Sequence, residues 1–147
     1  MPVVRVYVPL GREDLEQLAA AGSLAAGPGT PRQAYAVTPG LERAAPGLDV
    51  EDLEYAAFSD AVAAAGALRA APMDRRVVAS ADADPAWVAP REGSPVSEVL
   101  VTAPIPLSRV ASFHVDDDLA GGVDEDADEL LWYDVTELDD VRGFLRT

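Results

Sequence analysis

The 147-residue chain contains no cysteine, no lysine and no asparagine, and only one histidine, His114. Without cysteine there are no disulfides, no thiolate nucleophile and no cysteine-ligated zinc or iron–sulfur centre. One imidazole excludes any site that needs two from the same chain. The apolar stretch Ala61–Leu68 is far too short to span a bilayer. The start, MPVVR, lacks a charged n-region followed by a long apolar h-region, so a cytoplasmic location is expected. Basic residues are also scarce: eleven, all arginine, against twenty-six acids, for a formal charge of −15. Phosphate backbones are held by arrays of Lys and Arg, so direct nucleic-acid binding is not expected, whereas a basic protein surface suits this balance.

The chain has 49% apolar residues, enough for one hydrophobic core and a single domain over residues 1–147. Its charge is segregated. Residues 1–109 hold nine arginines and fourteen acids, a net of −5, and residues 110–147 hold two arginines and twelve acids, a net of −10. The C-terminal quarter is the electrostatic pole.

Periodicity and punctuation give the element order. VVRVYV at 3–8, between prolines 2 and 9, is a β-branched strand, and a short helix from Glu13 to Ala21 stops at Gly22. Gln33–Val37 alternates as a second strand. Thr38-Pro39 starts a helical turn, and Asp49 caps the longest helix, Val50 to about Ala70. At about 100° per residue, its apolar positions from Leu53 to Leu68 cover an arc of roughly 200°, which predicts packing against a sheet and a further element. Strands are expected at 75–79, 98–103, 110–115 and 130–133. The last, LLWY, is apolar on both faces and so reads as an interior strand with Trp132 and Tyr133 in the core. Residues 81–95 read as a loop pinned by Trp87, and the acidic stretch 116–129, with Gly121-Gly122, as flexible. Asp134 and Glu137 form a capping box for a final helix with Leu138, Val141 and Leu145 on one face. The expected fold is α+β: a single-domain α/β sandwich with a mixed sheet of about six strands and three main helices.

Candidate chemistry centres on His114, Asp116, Asp117 and Asp118. On a strand, Ser112, His114 and Asp116 share a face. The aspartates with the imidazole would suit a divalent cation, or Asp116 would orient His114 as a base. The bland alternative, a lone histidine before a solvated acidic loop, carries more weight in so acidic a chain. Glu54 falls within the apolar arc of the long helix. A buried carboxylate there needs a partner or takes up a proton, while one in a first turn also reaches solvent or the helix dipole. Asp124, Asp126 and Asp128 resemble the start of a calcium loop, but Glu129 stands where glycine is required and Val135 where a bidentate glutamate is required. An EF-hand is excluded; no cofactor is expected beyond weak divalent-cation binding. The segment GPGTP at 27–31 has no phosphate-cradle spacing, and no G-x-S-x-G occurs.

The segments RVYVP (5–9), AVTP (36–39), DLEYAAF (52–58), RRVVAS (75–80), VASFHVDD (110–117) and ELLWYDVTEL (129–138), in this order, resemble a family of small acidic actinobacterial proteins catalogued as a domain of unknown function. The resemblance implies a bacterial, cytoplasmic protein and supplies no catalytic residues. The residues themselves favour a non-enzymatic protein-interaction or regulatory domain. Its acidic surface, including Asp124, Asp126, Asp128 and Glu129, would contact a basic partner. The alternative is a divalent-metal-dependent hydrolase or phosphotransfer enzyme using His114, Asp116 and Asp117, with Glu54 as a further candidate. A DNA-mimicking inhibitor is a third reading, which needs a rigid acidic surface and so is disfavoured by Gly121-Gly122.

Overall fold

A computed structural model of the chain describes residues 3–69, 75–91, 95–116 and 130–145. The first strand, β1 (Val4–Leu10), forms where β-branched residues alternate with Arg5 and Tyr7. Helix α1 (Arg12–Ala21) begins where the Gly11 backbone N–H donates to Asp14 Oδ2 at 2.9 Å. It ends on Gly22, whose φ of 75° lies in the left-handed region where glycine is at ease. A two-residue strand, β2 (Ser23–Leu24), and then β3 (Arg32–Tyr35) follow. Thr38 Oγ1 accepts from the Leu41 N–H and caps α2 (Pro39–Ala44), with Pro39 in the first turn. The Asp49 side chain accepts from the Asp52 N–H and caps α3 (Val50–Ala67).

The second half is richer in strands than its sequence suggests. β4 (Val77–Ala83) runs on into the stretch expected to be loop. Asp84 then caps a 3-10 turn at Pro85–Trp87 that leads into β5 (Val88–Pro90). β6 (Glu98–Val101) is followed by β7 (Ile105–Pro106), β8 (Val110–Val115), β9 (Leu131–Asp134) and α4 (Leu138–Phe144). The capping box forms as expected: the Glu137 side chain accepts from the Asp134 N–H, and Asp134 from the Thr136 N–H.

Seven strands form one sheet in the order β5-β6-β3-β1-β4-β8-β9, and β2 pairs with β7 in a separate ribbon. Among the described residues every pairing is antiparallel, which corrects the expected mixed sheet; the large sheet has seven strands, and the described residues form four α-helices. The reason is the connections. Consecutive strands β5 and β6, and β8 and β9, lie side by side, and antiparallel neighbours need no crossover helix. β9 lies at the end of this order, and Trp132 is 75% exposed, so the core position expected for it is also corrected. An unbroken apolar run does not distinguish an interior strand from one lining a cavity.

The sheet separates two cores. One face packs Val6, Val8, Phe113 and Val115 against Leu15 and Leu18 of α1 and Leu138 and Val141 of α4. The other packs Tyr7, Tyr35 and Val78 under Leu53, Ala57, Ala61, Val62 and Ala65 of α3. The buried stripe of α3 is narrower than the predicted arc, since Tyr55 and Leu68 are exposed. A bulge where the β4–β8 register shifts at Ser80/Ala81 puts Val110 opposite Ala81 and Ser112 opposite Ser80. The extra residue reverses alternation, so Val110 joins the α1/α4 core while Ser112 and His114 face α3. Among the described residues no helix is long and apolar enough to cross a membrane.

Candidate functional site between the long helix and the sheet

The face under α3 carries polar side chains that the opposite face lacks. Register sets Arg5 of β1 opposite Asp82 of β4, Tyr7 opposite Ser80, Ser80 opposite Ser112 of β8, and His114 opposite Trp132 of β9. Alternation points these positions to one side of the sheet. Glu54, in the second turn of α3, and Phe58, one turn further on, come down over them. The result is a cavity of ≈ 270 Å³ between α3 and the sheet. Tyr7, Ser80, Phe58 and His114 line it together with Arg5, Glu54, Tyr55, Leu130 and Trp132.

Four rings run in sequence through this site. Tyr7 meets Phe58 with centroids 5.7 Å apart, Phe58 meets His114 at 4.8 Å, and His114 meets Trp132 at 4.5 Å, all edge to face. Such contacts suit the aromatic quadrupole and fix ring orientation. His114 is only 3% exposed. Its Nε2 lies 2.9 Å from Ser80 Oγ and 3.1 Å from Ser112 Oγ, while Nδ1 has no hydrogen-bond partner among the described residues. Burial, with a contribution from the Arg5 charge, lowers the imidazole pKa to about 4, so the ring is neutral at pH 7. Burial, reinforced by the Glu54 charge, raises the Tyr7 phenol to about 12 and keeps its proton in place as a donor.

The charged groups sit above this neutral floor. Arg5 Nε donates to Asp82 Oδ1 at 2.8 Å, a half-exposed ion pair. The Asp82 hydrogen bond, partly offset by burial, raises the Arg5 pKa, with Glu54 adding to it through its charge. Glu54 is half-buried and makes no hydrogen bond or ion pair with a described residue. The sequence placed it in the middle of the apolar arc; the structure puts it where that arc opens over the cavity.

Glu54 and His114 therefore line one site, and Asp116 does not join them. Asp116 accepts from the Arg76 backbone N–H at 2.7 Å, from Arg76 Nε at 2.8 Å and from Nη2 at 2.7 Å. Both residues are buried. This bidentate pair, with the Asp116 N–H donating back to the Arg76 carbonyl, fastens the ends of β4 and β8. It leaves Asp116 neither aimed at His114 nor open to a cation. Among the described residues no three His, Asp or Glu side chains gather as a metal site. Asp117, Asp118, Asp124, Asp126, Asp128 and Glu129 lie outside the described residues, as does nearly all of the acidic stretch 116–129.

Ser80 and His114 are within hydrogen-bond reach, the geometry of a nucleophile and its base, yet the pair is poorly equipped for that chemistry. Ser112 competes for the same nitrogen, no acid among the described residues orients Nδ1, and an imidazole of pKa about 4 is a weak base. Arg5, Tyr7, Phe58 and Ser80 escaped the sequence reading. Their signal was present in β1, where Arg5 and Tyr7 alternate with Val4, Val6 and Val8, and a charge in such a run marks the face that is not a dry core.

The sequence profile of a family of unknown function (DUF6912) matches residues 4–141, which include every residue of this cavity. No curated protein and no solved structure matches the chain.

Proposed function

The chain belongs to this family of unknown function, and we propose that it is a non-enzymatic binding domain whose α3-side cavity takes a small ligand. The observation that carries this reading is that Glu54 and His114, unpartnered at the carboxylate and at Nδ1 among the described residues, line one aromatic-walled cavity. Buried polar groups are nearly always hydrogen-bonded, so polar groups left unmet on residues that line a cavity favour a ligand site there. The weak basicity of His114 and the engagement of Asp116 by Arg76 argue for binding over catalysis.

Ligand-observed NMR of the full chain against a fragment library tests this. Hits are expected whose signals vanish with Phe58→Ala and with Trp132→Ala. A library without cavity-dependent hits overturns the proposal.

A second reading has its own observation: the net of −10 in residues 110–147, part of which the structure shows as exposed Asp134, Asp139 and Asp140 around the start of α4. This surface suits a basic protein partner. Capture of partners should then weaken between 50 and 300 mM salt, as roughly expected for screened charges. Partners no more basic than background, or a salt-independent capture, would remove it.

A further inference from the structure

The chemistry of the cavity narrows the class of its ligand. Its ≈ 270 Å³ is the space of roughly nine waters at about 30 Å³ each, which suits a compound of one or two rings. Its walls are flat. Phe58, His114 and Trp132 interlock edge to face, and Tyr55 and Trp132 remain exposed at the mouth, so a planar molecule can lie against rings that water now covers.

The charges then discriminate. Glu54 offers an acceptor-only carboxylate, and Arg5, whose Nε is held by Asp82, keeps two Nη groups as donors with no hydrogen bond to a described residue. An anion would meet Glu54 and Asp82, and a cation would meet Arg5. A purely apolar molecule would strip water from both charges and return no hydrogen bond. A zwitterion would bring its carboxylate to an arginine already neutralised by Asp82. A neutral molecule with an N–H donor beside a carbonyl acceptor meets none of these penalties, because charge-assisted bonds form at both ends without adding charge. Ser80, whose hydroxyl lies 2.9 Å from His114 Nε2, adds a polar group to the floor.

We propose that the ligand is a flat, uncharged heterocycle with an N–H beside a carbonyl, a cyclic amide of nucleobase type, whose edge lies between Glu54 and Arg5. This rests on the cavity being a ligand site.

The test is a saturation-transfer titration of the full chain with hypoxanthine and guanosine, beside benzoate, benzamidine and L-phenylalanine. Saturable binding of hypoxanthine or guanosine, with the three charged compounds weaker, is the expected result. If hypoxanthine binds, the free base suffices; if only guanosine does, the 2-amino group or the sugar belongs to the ligand. Glu54→Gln should weaken the bound heterocycle about tenfold by removing one charge-assisted bond. Arg5→Met is the second variant, expected to act in the same direction, should Glu54→Gln fail to fold. Charged compounds binding as tightly as the heterocycles, or silence of both heterocycles at millimolar concentration, overturns this ligand class. A fragment library that still yields cavity-dependent hits then leaves the ligand site standing; its silence overturns both.

Discussion

The two faces of the seven-stranded sheet share strands but not chemistry. Toward α1 and α4, alternate residues such as Val6, Val8, Phe113 and Val115 are fully buried and apolar. Toward α3, the intervening residues include Arg5, Tyr7, Ser80, Asp82, Ser112 and His114. The first face supplies stability through area removed from water. The second surrenders part of that area for polar groups, and at its two ends treats them oppositely. Arg76 and Asp116 lock together through three hydrogen bonds to the carboxylate, whereas His114 Nδ1 and Glu54 have no hydrogen-bond partner among the described residues. The chain thus keeps one face for folding, and the other is where the proposed ligand site lies.

The sharpest way to break this comparison is to damage each face where it is complete. Phe113→Ala removes a fully buried ring from the apolar face and should cost about 3–5 kcal/mol by urea unfolding. Asp116→Ala should cost a similar amount, about 3–5 kcal/mol, by removing the buried carboxylate that holds the Arg76 guanidinium and backbone N–H. The mechanisms separate on rescue: adding Arg76→Met should recover part of the Asp116→Ala loss and none of the Phe113→Ala loss. Equal recovery in both backgrounds would show that the faces do not differ as argued.

Acid probes the α3 face next. His114 titrates at about 4 when folded and near 6.5 when unfolded, so between these values the unfolded chain binds the proton more readily. The contribution of the neutral ring is complete above pH 6.5 and is lost as pH falls toward 4, a change of about 3 kcal/mol. Unfolding free energies at pH 7, 5.5 and 4.5 should show this slope in the native chain and a shallower one in His114→Gln. An identical slope in both would place the acid sensitivity elsewhere.

The smallest effect on stability falls at the cavity itself. Glu54 has no hydrogen-bond or ion-pair partner among the described residues, so Glu54→Gln should shift stability by no more than about 0.5 kcal/mol. A loss well beyond this would mean that Glu54 supports the fold.

Much of this architecture was legible in the chain. Gly22, Thr38-Pro39, Asp49 and the Asp134/Glu137 box mark helix ends because caps are local chemistry, made within three or four residues. The strands at Val4, Glu98 and Val110 were legible from β-branched alternation. The extension of β4 through Ala83 was not, because alanine and aspartate have no strand signature and pair there only through β1. For the site, Glu54 stood out as a carboxylate within an apolar arc and His114 as the lone histidine beside a run of aspartates, but their meeting depended on strand order. Asp116 was misread for the opposite reason: its position on the His114 row is right by period, yet its partner lies forty residues away in Arg76.

By itself the sequence determined the charge pole, the caps, most strands and the absence of thiol chemistry, since composition and local hydrogen bonding need no tertiary partner. Only the tertiary structure decided that the sheet is antiparallel, that a bulge at Ser80/Ala81 turns His114 toward α3, and that Glu54 arrives above it. Pairing register and helix placement are set by contacts distant in sequence, and a single extra residue in β8 exchanges which side chains face the core and which face the cavity.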